Sequence, residues 1–497
     1  METVATFVPA SADPAEELLR PPSGATTIEL RADLLGADCD LASLVAIAPR
    51  PVIVTLRSRS EGGQGPDDPT ERRRFFKRAA ALPAALFDLE AARDRDLIDA
   101  VIPRERVILS AHFTGGVPAD LEERAAAMLT SGARFVKVVP TAVRLADVAT
   151  VLRLAQALDR GNRKERRAVV FAAGEVGRAT RLLGPLFGAP LAYAAWAPGR
   201  HGAAGQFLPD ELHALVGHLA DRPRKLFAVL GSPVGPSLSP RMHAAAYRAL
   251  GLPNVFVPFE VRDVGELDGL LVPTGESWLD DLGLPAGGFA VTMPWKGEAA
   301  RRCTLVAPRA GRAEAVNTVL PRADKVLGDC TDIDGITRVL AEEDAELAGA
   351  RALVLGAGGA ARAAVVALQL GGAEVAVAAR DEEKGRETAR RLGAAVADIG
   401  ASDRVSVVVN ATPAGADGAS SPWLERLRVP EGGIVVDLPY GGSPTFLERL
   451  AGVRGWRYVG GREVLLFQAV SQFAAMTGVA PPVRAMAAAI GLEEVGA

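Results

Sequence analysis

The chain has 497 residues, of which 49% are apolar and 23% charged, and its formal net charge is -4. At about 100–200 residues per domain, this length and apolar content predict two to four folded domains and exclude global disorder. The small net charge and the shortness of basic clusters such as Arg163 to Arg167 argue against a nucleic-acid partner. Cys39, Cys303 and Cys330 lie far apart without a C-x-x-C pair, which argues against a disulfide framework or a zinc site.

The amino-terminal segment METVATFVPASADPAEELLR lacks the cationic start and apolar core of a signal peptide. No uninterrupted run of about 18 apolar residues occurs, so we expect no membrane-spanning helix and no membrane partner. Because widely spaced cysteines fit a reducing compartment, we expect a cytoplasmic protein.

The first half alternates short apolar runs with helix-like segments such as DLEERAAAMLTSG. Regular β–α alternation predicts parallel strands joined by crossovers, and eight such units fit a closed (β/α)8 barrel. An open doubly wound sheet is the alternative. The eight predicted strands are ATFVPA, TTIELRAD, PVIVTLR, ALFDLE, RVILSAH, RFVKVVP, AVVFAAG and PLAYAAW.

A polar, proline-containing joint, Asp221-Arg222-Pro223-Arg224, separates the two halves. We expect a first domain over residues 1–222. A second α/β region with strands LFAVLGS, VFVPFEV, GFAVTMP and AVNTVL is expected over 225–331, and a third, from RALVL to GGIVVDLPY, over 332–461. The helical tail, 462–490, is expected to pack back on the second region.

Reactive side chains recur at the carboxyl ends of the predicted barrel strands, where (β/α)8 barrels place their active sites. A single charged strand end means little, but a series of them predicts a polar pocket of mixed charge. The series consists of Glu29, Arg31, Arg57, Glu61, Asp88, Glu90, His112 and Lys137.

Lys137 stands within the otherwise apolar run FVKVV. Burial favours a neutral amine, which can attack a carbonyl and form a Schiff base, whereas the alternative is a lysine that extends to solvent. His112 can carry protons near neutral pH, or it is a structural histidine with satisfied hydrogen bonds. Arg31, Arg57 and Arg181 can each bind a carboxylate with two hydrogen bonds, or form ordinary ion pairs.

The ordered motifs of this half resemble type I 3-dehydroquinate dehydratase. They are E-x-R-x-D from Glu29, T-x-R-x-x-x-E-G-G from Thr55, D-x-E from Asp88, S-x-H from Ser110, V-K at Lys137, G-x-x-G-x-x-x-R from Gly174 and G-Q at Gly205. The resemblance implies that Lys137 forms an imine with the substrate ketone, that His112 moves protons and that Glu90 orients or tunes the histidine. It further implies that Glu29, Arg31, Arg57, Glu61, Arg181 and Gln206 bind substrate.

This half departs from the family pattern at three places. Phe113 stands where the family usually has an acidic or amide residue, Ala172 and Ala173 where it has methionine, and Gly202 near an expected serine. The residues of the expected chemistry are kept, so these changes affect substrate positioning.

In the third region, the motif Gly356-Ala357-Gly358-Gly359-Ala360-Ala361 follows the strand RALVL and opens a helix-like run. Backbone amides at such a helix start can hold a pyrophosphate, although a tight strand-to-helix turn is the alternative. The next strand ends at Arg380, with Lys384 nearby, where an NAD-binding fold would place an acid. A guanidinium there suits the 2′-phosphate of NADP.

The middle region supplies further polar groups. Ser237 and Ser239 can bind substrate or cap a turn, and Lys296 and Asp332 can form a general acid/base couple or be surface charges.

The motifs from Gly231 to Ala469 resemble shikimate dehydrogenase. They are GSPVGPSLSPRMH, VTMPWK, AVNT, TDIDG, GAGGAAR, NATPAG, DLPY and LLFQA. The resemblance implies a Rossmann domain that binds NADP, a catalytic pair of Lys296 and Asp332, and substrate contacts from Ser237, Ser239, Thr292, Asn317, Tyr440 and Gln468. Asn410, Ala411, Thr412 and Gly461 are implied to lie near the cofactor.

Two expected asparagines of this family are replaced, by Ala290 and Cys330. We expect a bifunctional enzyme that dehydrates 3-dehydroquinate and then reduces 3-dehydroshikimate with NADPH, without a metal. The alternatives are a quinate/shikimate dehydrogenase with a weak dehydratase half, and a sensor without catalysis. The sequence leaves a homodimer open.

Overall fold

The computed structural model describes residues 2–10, 13–36, 39–161, 166–219, 222–402, 404–441 and 444–492. Asp221 of the predicted joint and Arg163 to Glu165 of the basic cluster lie outside the described residues. The chain divides into two compact units. Unit 1 comprises Met1–Arg224, Val257–Glu266 and Asp281–Leu284, and unit 2 comprises Lys225–Phe256, Leu267–Asp280 and Pro285–Ala497.

Unit 1 contains a parallel eight-stranded sheet that runs in the order β7-β6-β5-β4-β3-β2-β1-β8. Each strand neighbours the next in sequence and the eighth pairs with the first, so the predicted barrel is confirmed and the open doubly wound sheet is wrong. Between β7 and β8 no pairing joins the described residues, and the barrel is nearly closed. The strands are β1 (Glu2–Phe7), β2 (Thr27–Arg31), β3 (Val52–Thr55), β4 (Leu86–Glu90), β5 (Val107–Phe113), β6 (Phe135–Pro140), β7 (Ala168–Val170) and β8 (Leu191–Ala195).

Branched and aromatic side chains fill the barrel interior, as the apolar runs require. Val4, Ile53, Ile108 and Val169 are fully buried members of one core cluster. Because side chains alternate along a strand, the residues between them face the surrounding helices. The helices are α1 (Pro14–Leu18), α2 (Leu41–Ile47), α3 (Pro69–Ala79), α4 (Leu121–Leu129), α5 (Leu145–Gly161), α6 (Arg178–Leu183) and α7 (Pro209–Val216).

A second sheet, which lies in unit 2 apart from residues 257–260, has six strands in the order β10-β9-β11-β13-β14-β12. It is mixed, because β11 pairs parallel with β9 but antiparallel with β13. Its strands are β9 (Lys225–Gly231), β10 (Asn254–Glu260), β11 (Ala286–Val291), β12 (Leu305–Val306), β13 (Thr318–Pro321) and β14 (Val326–Asp329). The associated helices are α8 (Ser239–Ala249), α9 (Trp278–Asp281), α10 (Lys296–Arg302) and α11 (Pro308–Ala313).

The third sheet lies in unit 2 and is parallel throughout, in the order β17-β16-β15-β18-β19-β20. Numbered from its first strand this is 3-2-1-4-5-6, the strand order of dinucleotide-binding folds, whose ligands bind where the order reverses, here between β15 and β18. The strands are β15 (Arg351–Leu355), β16 (Glu374–Ala378), β17 (Ala395–Val396), β18 (Val407–Asn410), β19 (Ile434–Asp437) and β20 (Arg457–Val459). The helices are α12 (Asp332–Glu342), α13 (Gly359–Leu370), α14 (Glu382–Leu392) and α15 (Phe446–Arg454).

The tail helices, α16 (Gly461–Thr477) and α17 (Val483–Ala488), pack against the mixed sheet and α8. Phe473 and Met486 from these helices share a buried cluster with Phe227 and Tyr247. Gln468 is thereby held on α16 facing residues of the mixed sheet. None of the helices in the described part of the chain is long and apolar enough to cross a lipid bilayer.

Candidate active sites

The first candidate site is a cavity of about 200 Å³ at the carboxyl ends of the barrel strands. Parallel strands bring these ends to one rim, so side chains far apart in sequence face one another there. Of the residues predicted for this pocket, Asp88 and Glu90 are absent from the cavity lining. The others line it: Glu29, Arg31, Arg57, Glu61, His112, Lys137, Arg181 and Gln206.

Lys137 is a buried ammonium group and does not extend to solvent. It is 2% exposed, and its Nζ lies 2.5 Å from Oδ2 of Asp88 and 3.8 Å from Oε1 of Glu29. The same nitrogen lies 4.4 Å from the centroid of the Tyr193 ring, a favourable cation–π distance. The third position of β6 turns this side chain into the barrel, where carboxylates compensate the cost of its burial.

Arg57 joins the carboxylates beneath the cavity into one network. Its Nη2 donates to Oδ1 of Asp88 at 2.6 Å, and its Nη1 donates to Oε1 of Glu90 at 3.1 Å and to Oε2 of Glu61 at 3.2 Å. Burial alone would raise the pKa of Asp88, but Arg57 and Lys137 outweigh it and hold this pKa at about 2. Asp88 is therefore an anion throughout the neutral pH range.

The carboxylate that contacts His112 is Glu61. Its Oε2 accepts a hydrogen bond from the His112 backbone nitrogen at 2.9 Å and lies 3.1 Å from Nδ1 of the ring. Glu90, to which the sequence assigned this role, instead accepts hydrogen bonds from Arg57 and from the backbone nitrogen of Ser58. Glu90 makes no hydrogen bond to His112 among the described residues and does not line the cavity, so Glu61 makes the contact that was predicted for Glu90.

The pKa values of this pair are shifted in opposite directions. Burial raises the pKa of Glu61 to about 7, against the effect of Arg57. Burial, together with the positive charges of Arg57 and Lys137, lowers the pKa of His112 well below its ordinary value. His112 is therefore a neutral imidazole near pH 7, and Glu61 titrates there.

Arg31 is oriented by a fork of two hydrogen bonds to Asp33, at 2.8 Å from Nε and 2.7 Å from Nη2. Its Nη1 donates to the Gly202 carbonyl at 3.3 Å. A Cβ built on Gly202 would lie 2.3 Å from Cγ2 of Thr6, so the local packing favours glycine where the family pattern has a serine nearby.

Arg181 and Gln206 also line the cavity. The Arg181 guanidinium stacks over the Phe171 ring at 4.5 Å, and burial lowers its pKa to about 10. Its Nη2 reaches only the Ala204 carbonyl, at 3.3 Å. Nε2 of Gln206 donates to the Thr6 hydroxyl at 3.2 Å. Arg181 thus faces the cavity without a carboxylate in hydrogen-bonding contact among the described residues, as a group that binds an anionic ligand would.

Two of the departures from the family pattern make part of the rim apolar. Phe113 and Ala173 line the cavity, whereas Ala172 is fully buried behind it. The guanidinium of Arg124 lies over the Phe113 ring at 5.6 Å. Neither residue makes a hydrogen bond or an ion pair with Lys137, Asp88, His112 or Glu61 through its side chain, since both side chains are apolar.

The second candidate site is a cavity of about 190 Å³ in unit 2. Its central pair is Lys296 and Asp332, with Nζ 2.5 Å from Oδ2. Lys296 is the first residue of α10 and Asp332 the first residue of α12. The dipole of α12 therefore stabilises the negative charge of Asp332. Burial would lower the pKa of Lys296, but Asp332 outweighs it and raises this pKa.

Amide groups form one wall of this cavity. Nδ2 of Asn317 donates to Oε1 of Gln468 at 3.0 Å, and the Asn317 side-chain oxygen accepts from the Thr331 backbone nitrogen at 2.7 Å. Gln472, one turn after Gln468, donates to the Asn317 backbone carbonyl at 3.0 Å. These contacts fix Asn317 beside the turn that carries Asp332.

Hydroxyl groups also line this cavity. Ser237, Ser239, Thr292 and Tyr440 all line the cavity. The Ser237 hydroxyl accepts from the Ser239 backbone nitrogen at 3.3 Å and is also hydrogen-bonded with Tyr440. Burial raises the pKa of Tyr440, so this phenol remains a neutral donor.

The replaced asparagines lie at the same site. Ala290 is buried and lines the cavity, so its wall carries a methyl group in place of an amide. Cys330 is fully buried, and its Sγ lies 3.9 Å from Oδ2 of Asp332. A thiol is a weak donor, so Asp332 keeps Lys296 as its strong partner.

The glycine motif forms the turn between β15 and α13. Gly356 has φ +115°, and a Cβ there would lie 3.1 Å from Cγ2 of Thr412 and 3.2 Å from the Ala411 carbonyl oxygen. A Cβ on Gly359 would lie 3.1 Å from Cβ of Lys296, and Ala360 lines the catalytic cavity. The turn therefore lies directly against the Lys296–Asp332 pair.

Within the motif, Gly358 is exposed and leaves room for a ligand. Gly358 caps α13 without a side-chain hydrogen bond, and a Cβ built on it would have no atom within 4 Å. Free backbone amides at such a helix start bind phosphate groups. Of the remaining motif residues, Ala357 is half-buried and Ala361 fully buried beneath the turn.

The residues predicted to lie near the cofactor occupy two kinds of position. Asn410 is fully buried and donates to Oδ1 of Asp437 at 2.7 Å while accepting from Thr412, so its side chain holds the loop that includes Ala411. Gly461 lines the catalytic cavity, and a Cβ there would lie 2.2 Å from the Leu438 carbonyl oxygen.

Arg380 lies two residues after β16 and is exposed. No hydrogen bond or ion pair joins it to the part of the chain that the structure describes. Lys384 is exposed as well, but its Nζ lies 3.0 Å from Asp381. Arg380 is thus the group that remains available for an anionic ligand.

Tyr193 and Gln472 were not among the residues predicted from sequence. Asp88 was predicted at the polar pocket but not as the partner of Lys137. Tyr193 faces Lys137 from β8, and only the inward alternation of that strand signals it. Gln472 is signalled by its spacing of four residues from Gln468 on a helix.

Comparisons with known proteins agree with this division. Residues 6–221 match the family model described as type I 3-dehydroquinase, and residues 229–319 match the shikimate dehydrogenase substrate binding domain. A bifunctional 3-dehydroquinate dehydratase/shikimate dehydrogenase of Arabidopsis thaliana is 28% identical over 92% of this chain and 79% of its own length. A shikimate dehydrogenase (NADP(+)) of Halorubrum lacusprofundi is 37% identical over 54% of this chain and 98% of its own length.

A pentafunctional AROM polypeptide of Malassezia globosa is 29% identical over 93% of this chain. The chain spans only 30% of that polypeptide.

The glycine turn gives a test of local structure. Gly356→Ala places a side chain at positive φ against the 411–412 loop, and we expect it to lower stability by about 2 kcal/mol and Tm by roughly 5 °C. Gly358→Ala is the matched control, because its backbone is extended and its surroundings are open. Thermal unfolding followed by circular dichroism compares them, and equal Tm values would contradict this description of the turn.

Proposed function

The chain belongs to the type I 3-dehydroquinase family in its first half and to the shikimate dehydrogenase family in its second, and we propose that it performs both reactions in sequence. The barrel dehydrates 3-dehydroquinate to 3-dehydroshikimate, and unit 2 reduces this product to shikimate. The observation that carries the proposal is the pair of buried lysines, Lys137 with Asp88 and Lys296 with Asp332, each at the centre of a polar cavity.

In the barrel, Lys137 is the nucleophile. Its amine, after losing a proton, adds to the substrate ketone, and loss of water leaves a cationic imine. Asp88 at 2.5 Å and Glu29 at 3.8 Å stabilise that positive nitrogen. The imine withdraws electrons from the neighbouring carbon, which makes its proton easier to remove.

His112 moves the protons of this reaction. As a neutral imidazole it takes the proton from the carbon beside the imine and returns one to the departing hydroxyl. Glu61 orients it, because an ionised carboxylate accepts the hydrogen of Nδ1 and leaves the lone pair of Nε2 for the substrate. Water then releases the product from Lys137.

The charged groups on the rim bind the substrate. Arg181 faces the cavity and supplies a guanidinium for the substrate carboxylate, while Arg31 and Gln206 contribute polar contacts. Arg57 positions other side chains and does not itself bind substrate, because its guanidinium is hydrogen-bonded to Asp88, Glu90 and Glu61.

In unit 2 the Lys296–Asp332 pair holds a proton beside the substrate ketone. NADPH supplies a hydride when bound, and the site fits it: the open amides at Gly358 suit its pyrophosphate, and Arg380 suits its 2′-phosphate. Lys296 delivers a proton to the carbonyl oxygen from Nζ, and Asp332 stabilises and restores the ammonium form. Ser237, Ser239, Thr292, Asn317, Tyr440 and Gln468 hold the substrate.

One observation favours a second substrate for unit 2. Ala290 puts a methyl group where an amide was expected, so this part of the cavity lacks one polar contact to the substrate. Quinate, which has an additional hydroxyl, is therefore the second candidate. A comparison of kcat/KM for NADP-dependent oxidation of shikimate and quinate decides between them.

The same proposal covers the organisation of the chain. The domains are 1–222, 225–331 completed by 462–490, and 332–461. A cytoplasmic location fits the three free cysteines, of which Cys330 is buried. A homodimer is compatible with two active sites that each lie within one unit.

Separate variants of the two lysines test the function. Given 3-dehydroquinate and NADPH, the unmodified protein should form shikimate. Lys137→Ala should form no product from 3-dehydroquinate but still reduce supplied 3-dehydroshikimate, whereas Lys296→Ala should accumulate 3-dehydroshikimate. Each affected rate should fall by at least about 100-fold. Loss of both activities in either variant would contradict two separate sites.

The pH dependence of the barrel reaction tests Glu61. Because ionised Glu61 is the form that orients His112, kcat/KM for dehydration should fall about tenfold per pH unit as the pH drops below the Glu61 pKa of about 7. Glu61→Gln should be slower and should lose this acidic limb. The reduction of 3-dehydroshikimate by the same variant is the control. An unchanged limb in Glu61→Gln would exclude this role.

Arg380 tests the cofactor preference. Arg380→Ala should raise KM for NADPH by roughly 10- to 100-fold, since a charge-assisted contact to the 2′-phosphate is lost, and should leave KM for NADH unchanged. Lys384→Ala should have a smaller effect because Lys384 is paired with Asp381. Equal losses with both cofactors would refute the assignment.

A further inference from the structure

Arg309 binds both sides of the turn that presents Asp332. Its Nε and Nη2 donate to the two carboxylate oxygens of Asp329, at 2.9 and 2.8 Å. Its Nη2 also donates to Oδ2 of Asp334 at 2.9 Å, and its Nη1 donates to Oδ1 of the same carboxylate. Asp329 ends β14 and Asp334 lies in the first turn of α12, so one guanidinium connects the strand to the helix across Asp332.

This arrangement resolves a charge problem. Asp329, Asp332 and Asp334 lie within six residues, and three carboxylates this close repel one another. Arg309 neutralises the outer two with bidentate contacts, and these contacts raise its own pKa. Asp332 is left with Lys296 as its ion-pair partner among the described residues.

The position of Arg309 in its own helix supports a dedicated role. It lies in the first turn of α11, where the helix dipole disfavours a positive charge. By contrast, Arg312 on the same helix is exposed and donates only to the side chain of Gln369, at 3.1 Å. The unfavourable site of Arg309 is therefore compensated by its contacts to the Asp332 turn.

We propose that Arg309 is a positioning residue of the reductase site, which fixes the turn 329–334 so that Oδ2 of Asp332 stays on Nζ of Lys296. The inference rests on the proposed function of unit 2. Arg309 touches neither the substrate nor the cofactor in this account, because it does not line the catalytic cavity. It acts through the geometry and charge of Asp332.

The test uses the full chain and the reduction of 3-dehydroshikimate by NADPH. Arg309→Met should lower kcat by roughly 10- to 100-fold, as expected when a catalytic group is misplaced by about 1 Å, and should leave both KM values within about twofold. Arg309→Lys should recover part of kcat, because lysine restores the positive charge but not the planar guanidinium that makes the bidentate contacts. Arg312→Ala, the matched control, should behave like the unmodified protein.

A double variant separates positioning from simple loss of folding. In Arg309→Met with Asp334→Asn, one of the two carboxylates that Arg309 neutralised is gone as well, so kcat should rise above that of Arg309→Met alone. The inference is overturned if Arg309→Met keeps kcat within twofold, or if Asp334→Asn fails to recover activity in a protein with an unchanged Tm. If the unmodified protein does not reduce 3-dehydroshikimate, the proposed function fails instead.

Discussion

A lysine ammonium buried against an aspartate carboxylate is the interaction around which each site is built. Removing two charges from water is costly, and the pair persists only where both have partners in good geometry. In the barrel the partner Asp88 is held by Arg57 as well as by Lys137. In unit 2, the carboxylate of Asp332 is stabilised by the dipole of the helix that it begins. The turn that carries it is bound on both sides by Arg309. The surrounding polar residues therefore maintain one reactive pair in each cavity.

The two sites bring their lysines into place by different means. Lys137 lies in the middle of β6, whose backbone pairs with β5 on one side and β7 on the other. This pairing fixes the backbone and directs the side chain into the barrel. Lys296 and Asp332 each begin a helix, so their positions depend on turns. This difference explains why the barrel site is supported by side chains from neighbouring strands, while the site in unit 2 is supported by amide and guanidinium contacts to the turns.

The barrel strands and the glycine turn could be predicted from the sequence, because each depends on a pattern within a short segment of the chain. Eight apolar runs at even spacing predicted the eight barrel strands, and the glycine motif after RALVL predicted the strand, turn and helix at Gly356. The missed strands, β12, β14, β17 and β20, contain two to four residues each. None of them stands in an apolar run as long as AVVFAAG, which marked the equally short β7. The motifs also named most of the residues that line the two cavities.

Other features depend on distances that the order of residues does not give. Glu61 follows β3 and Glu90 is the last residue of β4, and only the path of the chain after β3 decides that Glu61 reaches His112. Asn410 was expected near a cofactor, yet its side chain faces Asp437 inside the fold. Arg309 gave no signal at all, because its partners lie 20 and 25 residues further along the chain.

The central claim is that the buried amine of Lys137 becomes covalently bonded to the substrate. Borohydride reduction in the presence of 3-dehydroquinate, followed by peptide mass spectrometry, measures this directly. The account predicts a stable adduct on the peptide that contains Lys137, none on the peptide that contains Lys296, and none without substrate. An unmodified Lys137 peptide in protein that is turning over 3-dehydroquinate would contradict it.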